Sequence, residues 1–232
     1  TLEKIQPGET GRVSVTFNSV PLASREYQTI REPQIDLVIT FRGRRVTESE
    51  SDDRFETEIG RSIKLNSVPQ LSAKMLHYSG PFNNEGAMPP RVEAETTYTA
   101  VWTVVNSTND LRESKVTAVL PPYVRWLGET SPASEEISFS EDASGGGTIS
   151  WNLGTVKAGT GYSLGAREVA FRLGLTPSLN QIGSEPNFMS QPQFTAVDNF
   201  TRRPLSASFN RDLDTNLSAD PQFQANEREV VR

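Results

Sequence analysis

There is no cysteine in the 232 residues and a single histidine, His77. The first absence removes disulfides, zinc–thiolate sites and thiol catalysis. The second argues against histidine-based catalysis and multi-histidine metal binding. Basic residues are outnumbered, 23 Lys and Arg against 29 Asp and Glu, for a net charge of -6. With no basic stripe to replace phosphate counterions, no nucleic-acid partner is expected. No apolar run approaches the roughly 20 residues of a membrane span, so no membrane contact is expected within this segment. Residues 1–25 lack the layout of a signal peptide. The opening Thr1-Leu2-Glu3-Lys4 reads as the start of an excised fragment. No stretch carries a sustained apolar 3.6-residue stripe with caps.

What is present is alternation with period two. In "TTYTAVWTVVNST" (96–108), Tyr98, Ala100, Trp102 and Val104 share one face, while Thr97, Thr99 and Thr103 fall on the face that suits water. The same pattern marks Val13, Val15 and Phe17; Ile35, Leu37, Ile39 and Phe41; and Val116, Ala118 and Leu120. It returns at Ile149, Trp151 and Leu153, and at Val169, Phe171, Leu173 and Leu175. Turn signals such as Pro7-Gly8, Asn106-Ser107, Pro121-Pro122 and Gly145-Gly146-Gly147 separate these runs. Short, regularly spaced strands without helices predict an all-β fold of antiparallel sandwiches.

The chain also repeats itself. "IQPGETGRVSVTF" (5–17) is echoed by "VKAGTGYSLGAREVAF" (156–171), with Val15 matching Val169. "PQIDLVITFRGRRV" (33–46) is echoed by "PQFTAVDNFTRRPL" (192–205), with Pro33 matching Pro192. Order is preserved. Residues 1–72 therefore correspond to the later half of a unit that appears whole over 73–232. The first unit is expected to have unpaired sheet edges or to be a reduced sandwich.

Three stretches carry a family resemblance: "TTYTAVWTVVNSTNDLRESKVTAVLPPYVRWL", "GTISWNLGTVKAGT" and "REVAFRLGL". Together they resemble the conserved immunoglobulin-like repeat found in tandem in many bacterial and archaeal cell-surface proteins. With "GPFNNEGAMPP" ahead of them, the version here is similar to large surface proteins of ultra-small candidate-phylum bacteria. The resemblance implies tandem immunoglobulin-like antiparallel β-sandwiches, an extracellular location, no enzymatic activity and no cofactor. Members often place an acidic residue before Leu-Pro; here it is Val119, so no ion site carries over.

Few residues stand out as chemistry. Tyr98, Trp102 and Trp151 share faces with aliphatic neighbours and read as core. Trp126, Tyr123 and Tyr162 lie in loop-like contexts and are the ligand-binding candidates, for sugars stacking on their rings. Asp212, Asp214 and Asn216 have the spacing of a calcium loop, but Leu217 and Phe223 stand where that loop needs Gly and Glu. With Leu213, Thr215 and Leu217 alternating between them, these polar residues read as the solvated face of a strand. The acidic run "ESESDDRFE" (48–56) reads as a charged edge. Gly145-Gly146-Gly147 lacks a following Lys-Ser/Thr and is a hairpin loop, not a phosphate cradle. His77 reads as a packing or surface residue.

Asp198 is the exception, because it occupies the place where the repeat has inward-facing Ile39. Either it lies past the end of the buried strand, or it is buried and bonded, as in a crosslink to Lys115 or Lys157. The expected function is a structural spacer or coat module whose partners are other repeats or neighbouring copies. An adhesin contacting surface glycans or proteins through loop aromatics is the alternative.

Overall fold

The computed structural model describes residues 5, 8–16, 30–44 and 54–232. Among the described residues thirteen strands account for nearly all regular structure. They are β1 (Gln34–Arg44), β2 (Arg54–Lys64), β3 (Pro69–Leu76), β4 (Thr96–Asn106), β5 (Leu111–Leu120), β6 (Val124–Ser131), β7 (Glu136–Glu141), β8 (Gly147–Val156), β9 (Arg167–Leu175), β10 (Asn187–Met189), β11 (Gln193–Asp198), β12 (Pro204–Ser208) and β13 (Leu213–Asp214). The alternation of the sequence becomes two antiparallel sheets, of order β12-β11-β5-β8-β7 and β3-β4-β9-β6. β10 and β13 form a small extra pair. The chain passes between the two large sheets after β4, β5, β6 and β8 and, by way of β10, after β9, which makes this an immunoglobulin-like β-sandwich.

The strands from β3 onward contribute their apolar faces to one core. Tyr98, Trp102, Trp151, Phe171, Phe188 and Phe194 are all fully buried there. Trp102 meets Phe171 edge-on, with ring centroids 4.9 Å apart, and Tyr98 meets Phe188 in the same way at 4.6 Å. These are the offset geometries that the ring quadrupole favours. Trp102 and Trp151 are thus filling between sheets, as their same-face neighbours predict.

The opposite face of β4 departs from expectation. Thr97 and Thr99 are buried rather than wet. The segment after β3 folds back over them: Asn84 donates to Thr99 Oγ1 at 2.9 Å, and the Glu85 N–H donates to Thr97 Oγ1 at 2.7 Å. Leu76, Val101 and Ala170 form a second small apolar cluster beneath Phe82. The hydroxyls are satisfied by this cover, so the pattern that suits solvent also suits a polar lid.

The first unit lies only partly within the described residues. Among the described residues before Leu65, the regular structure is a single ribbon, β1 and β2, paired over all eleven positions from Gln34–Lys64 to Arg44–Arg54. Val13 and Val15 lie in no strand and are exposed, Val15 by 81 %. Their counterpart β9 is held between β4 and β6, and no such neighbours exist here among the described residues. Phe17 and residues 48–53 of the acidic run lie outside the described residues; Arg54–Glu56 open β2. The crossing from ribbon to sandwich is at residues 65–68, ahead of the division expected after Ser72, because β3 already pairs with β4 from Pro69 onward.

Candidate functional site

The most elaborate polar arrangement sits at this crossing. β11 ends at Asp198, whose side chain is fully buried. Asp198 Oδ2 accepts the Ser67 N–H and Asn109 Nδ2, each at 2.8 Å. Its Oδ1 accepts the N–H groups of Phe200 and Thr201 at 2.9 and 3.0 Å. Burial pushes the carboxyl group upward, but the donors from Ser67, Asn109, Thr201 and Phe200 outweigh it and hold the acid below the usual carboxylate range.

Around this carboxylate the linker is strapped to the β4–β5 turn. Ser67 Oγ donates to Asn106 Oδ1 at 2.6 Å and accepts the Thr108 N–H at 2.9 Å. The Val68 N–H reaches Ser107 Oγ at 2.8 Å, and Asn109 Nδ2 also holds the Leu65 carbonyl at 2.9 Å. Asn106 donates onward to the carbonyls of Asn109 and Lys157. At the ribbon's base the Leu65 N–H bonds the Pro33 carbonyl, and Lys64 Nζ sits 4.3 Å above the Phe200 ring. The Asn-Ser-Thr-Asn turn that terminates β4 is therefore the socket into which the ribbon's stem plugs.

Of the two readings for Asp198, the structure places it buried and bonded, not past the strand's end. Its oxygens are occupied by amide N–H groups. Lys157 Nζ is directed to Asp110 Oδ2 at 3.4 Å, and Lys115 is a β5 residue opposite Thr195.

A second buried carboxylate was invisible in the sequence. Asp220 Oδ2 accepts the N–H groups of His77 and Tyr78 at 2.7 and 2.8 Å, and Oδ1 accepts Ser79 Oγ at 3.1 Å. Burial raises it, yet the bonds from His77, Tyr78, Gln222 and Ser79 bring it below the ordinary range. His77 is a packing residue, its Nδ1 2.9 Å from the Thr97 carbonyl. Tyr78 donates to Glu227 at 2.5 Å, and partial burial with that carboxylate partner pushes the phenol up to about 12.

Of the ligand candidates, Trp126 falls in a strand, while Tyr123 and Tyr162 lie in turns. Trp126 lies in β6, half-buried, stacked on Phe139 at 6.3 Å and tilted against Phe171 at 5.5 Å. Tyr123 also packs on the core, and burial raises its pKa. The Trp126 ring bridges from β6 to Phe139 on β7, and Tyr123 packs on the core just ahead of β6. Tyr162 is half-buried in the turn that Gly159 and Gly161 build. Asp212, Asp214 and Asn216 alternate with buried Leu213, Thr215 and Leu217, and Asp214 Oδ1 accepts the Asn216 N–H at 3.0 Å. Among the described residues no three acidic or imidazole side chains converge as metal ligands would.

One open groove of about 450 Å³ lies on the outer face of the four-stranded sheet, between Lys74, Val101, Pro132 and Glu168. Its carboxylates are engaged. Glu135 takes a forked pair of bonds from Arg167 and one from Trp151 Nε1 at 2.8 Å, while Glu168 accepts Thr103 Oγ1.

No family model matches the chain, and no curated protein matches it. Among solved structures it is similar to BcpA, the major pilin subunit of Bacillus cereus, at 9% identity and TM-score 0.34, over 71% of this chain and 58% of that one. It is similar to a putative membrane anchored protein from Corynebacterium diphtheriae at 11% identity and TM-score 0.35, over 92% and 57%. A GH20 exo-β-N-acetylglucosaminidase from Vibrio harveyi aligns at 9% identity and TM-score 0.32, over 60% of this chain and 17% of the enzyme. The chain thus spans less than two thirds of each of these three proteins. At these identities the three likenesses carry no function across.

Proposed function

We propose that this chain is a structural, non-catalytic module of a larger cell-surface protein, a spacer that fixes the direction in which one β unit follows another. The observation that carries the reading is the Asp198 joint. Four donors converge on one buried carboxylate, from the linker, the β4–β5 turn and the β11–β12 turn. A hinge meant to flex would leave such groups to water, whereas a buried carboxylate held by four donors sets one geometry, even with Asn109 Oδ1 and Thr201 Oγ1 left without partners. The adhesin alternative has no support from Trp126 and Tyr123, which pack on the core.

Because the chain has no cysteine, single labels can be introduced cleanly. Spin labels at Thr40→Cys on the ribbon and Ser138→Cys on the sandwich should give one narrow distance distribution, which broadens in Asp198→Ala. A native distribution as broad as that of the variant overturns the spacer reading. For the location, an antibody raised against the chain should label intact cells of the source organism. Labelling seen only after lysis overturns the surface assignment.

A further inference from the structure

The β1–β2 ribbon is amphipathic, and among the described residues its apolar face is half-buried at Ile35 and Leu37 and exposed beyond them. Directly paired residues share a face, so Ile35 with Ile63, Leu37 with Arg61, and Ile39 with Ile59 line one side, continued by Phe41 and Phe55. Asp36, Thr40, Arg42, Glu56 and Glu58 line the other. On the apolar side Ile39, Ile59 and Phe55 are 46 %, 38 % and 56 % exposed. A two-stranded ribbon with nothing on its apolar face is marginal in water.

The internal repeat shows what should cover it. By the Pro33–Pro192 match, Ile35, Leu37 and Ile39 stand where β11 has Phe194, Ala196 and Asp198, all buried in the sandwich. β2 takes the place of β12, which is the outer strand of its sheet. The other edge of β11 is filled by β5. Among the described residues no strand pairs with β1 on the side away from β2.

We propose that this edge of β1 is a docking site for an extended strand of the β5 kind, apolar at alternate positions and basic on its outer face, supplied from outside the described residues. Charge selects it. In the complete unit Thr195 faces Lys115, and the counterpart of Thr195 is Asp36. A strand in the same register brings a lysine opposite Asp36 while Val116 and Leu111 meet Ile35 and Ile39.

Area argues against a second ribbon as the occupant. Eleven residues span roughly 37 Å, and two strands give a face roughly 10 Å wide. Two stacked copies then bury on the order of 800 Å² in all, short of the roughly 1,200 Å² of a stable dimer. An added strand gains ladder hydrogen bonds as well as apolar contact. The inference stands on the ribbon and the repeat, independently of where the protein resides.

The probe is a synthetic peptide of residues 109–121, mixed in excess with the full chain, with amide hydrogen exchange as the readout. The peptide should slow exchange of the β1 amides that point away from β2 by at least about tenfold. Asp36→Lys in the chain should abolish that protection, and a peptide carrying Lys115→Asp should restore it. Asp36 is exposed, so the fold survives the exchange of charge. Unchanged β1 exchange overturns the proposal, as does protection confined to β2. A concentration-dependent dimer formed without peptide and lost in Ile39→Asp overturns it in favour of a second copy.

Discussion

Ser67 donates its backbone N–H to the carboxylate of Asp198 at 2.8 Å, across 131 residues of sequence. That bond fastens the ribbon's stem to the far strand of the sandwich, and it is the first place to test the structure.

Replacing Asp198 with Ala leaves four donors facing a hole in a site without water access. The expected loss is on the order of 3 kcal/mol, the cost of removing a charged acceptor and stranding its donors. Urea unfolding of the full chain measures it. Asp198→Asn keeps the volume but turns one oxygen into a donor and is expected to fall between the two.

Acid should weaken the fold in a defined window. Asp198 and Asp220 are both held below the ordinary carboxylate value, so the folded state binds its protons later than the unfolded chain does. A depressed folded value contributes stability that is complete above the unfolded value, near pH ~4, and is lost as pH falls through the folded one. Urea midpoints measured from pH 6 downward, roughly to pH 2, should therefore drop, and the drop should be shallower in Asp198→Asn.

Trp126→Ala should behave as a core truncation. Its ring leans on Phe139 and Phe171, so a cost of about 2 kcal/mol is expected. Binding on a glycan array should be the same before and after the change; a signal that vanishes with the indole would reinstate the adhesin reading.

Gly161 should not tolerate a side chain. It adopts φ of 81°, and a Cβ there would lie 2.2 Å from Val105 Cγ1. Gly161→Ala is expected to cost roughly 1–3 kcal/mol from strain and overlap together. A thermal midpoint indistinguishable from the native chain would mean the turn is built differently.

Much of this was legible in the residues. Alternation located β4, β5, β8 and β9 and their inward faces, since period two and core burial are the same fact in a sandwich. The mismatch of Asp198 with Ile39 in the repeat pointed to a special carboxylate, although its partners could not be named. Asp220 gave no such signal, because a carboxylate that caps a turn 143 residues away breaks no local pattern. Thr97 and Thr99 misled for a related reason: a hydroxyl looks the same facing water or a folded-back segment. The Val13–Val15 alternation also lacks a strand, because a strand needs neighbours as well as a pattern.

β3 is bracketed by the two buried carboxylates, with Ser67 held just before it and His77 just after. An edge strand anchored at both ends cannot unzip from its sheet one rung at a time. A pull transmitted from the ribbon would instead load all the β3–β4 rungs in shear at once, from Pro69–Asn106 to Leu76–Thr99. The module would then resist extension along its length far better than peeling from the side.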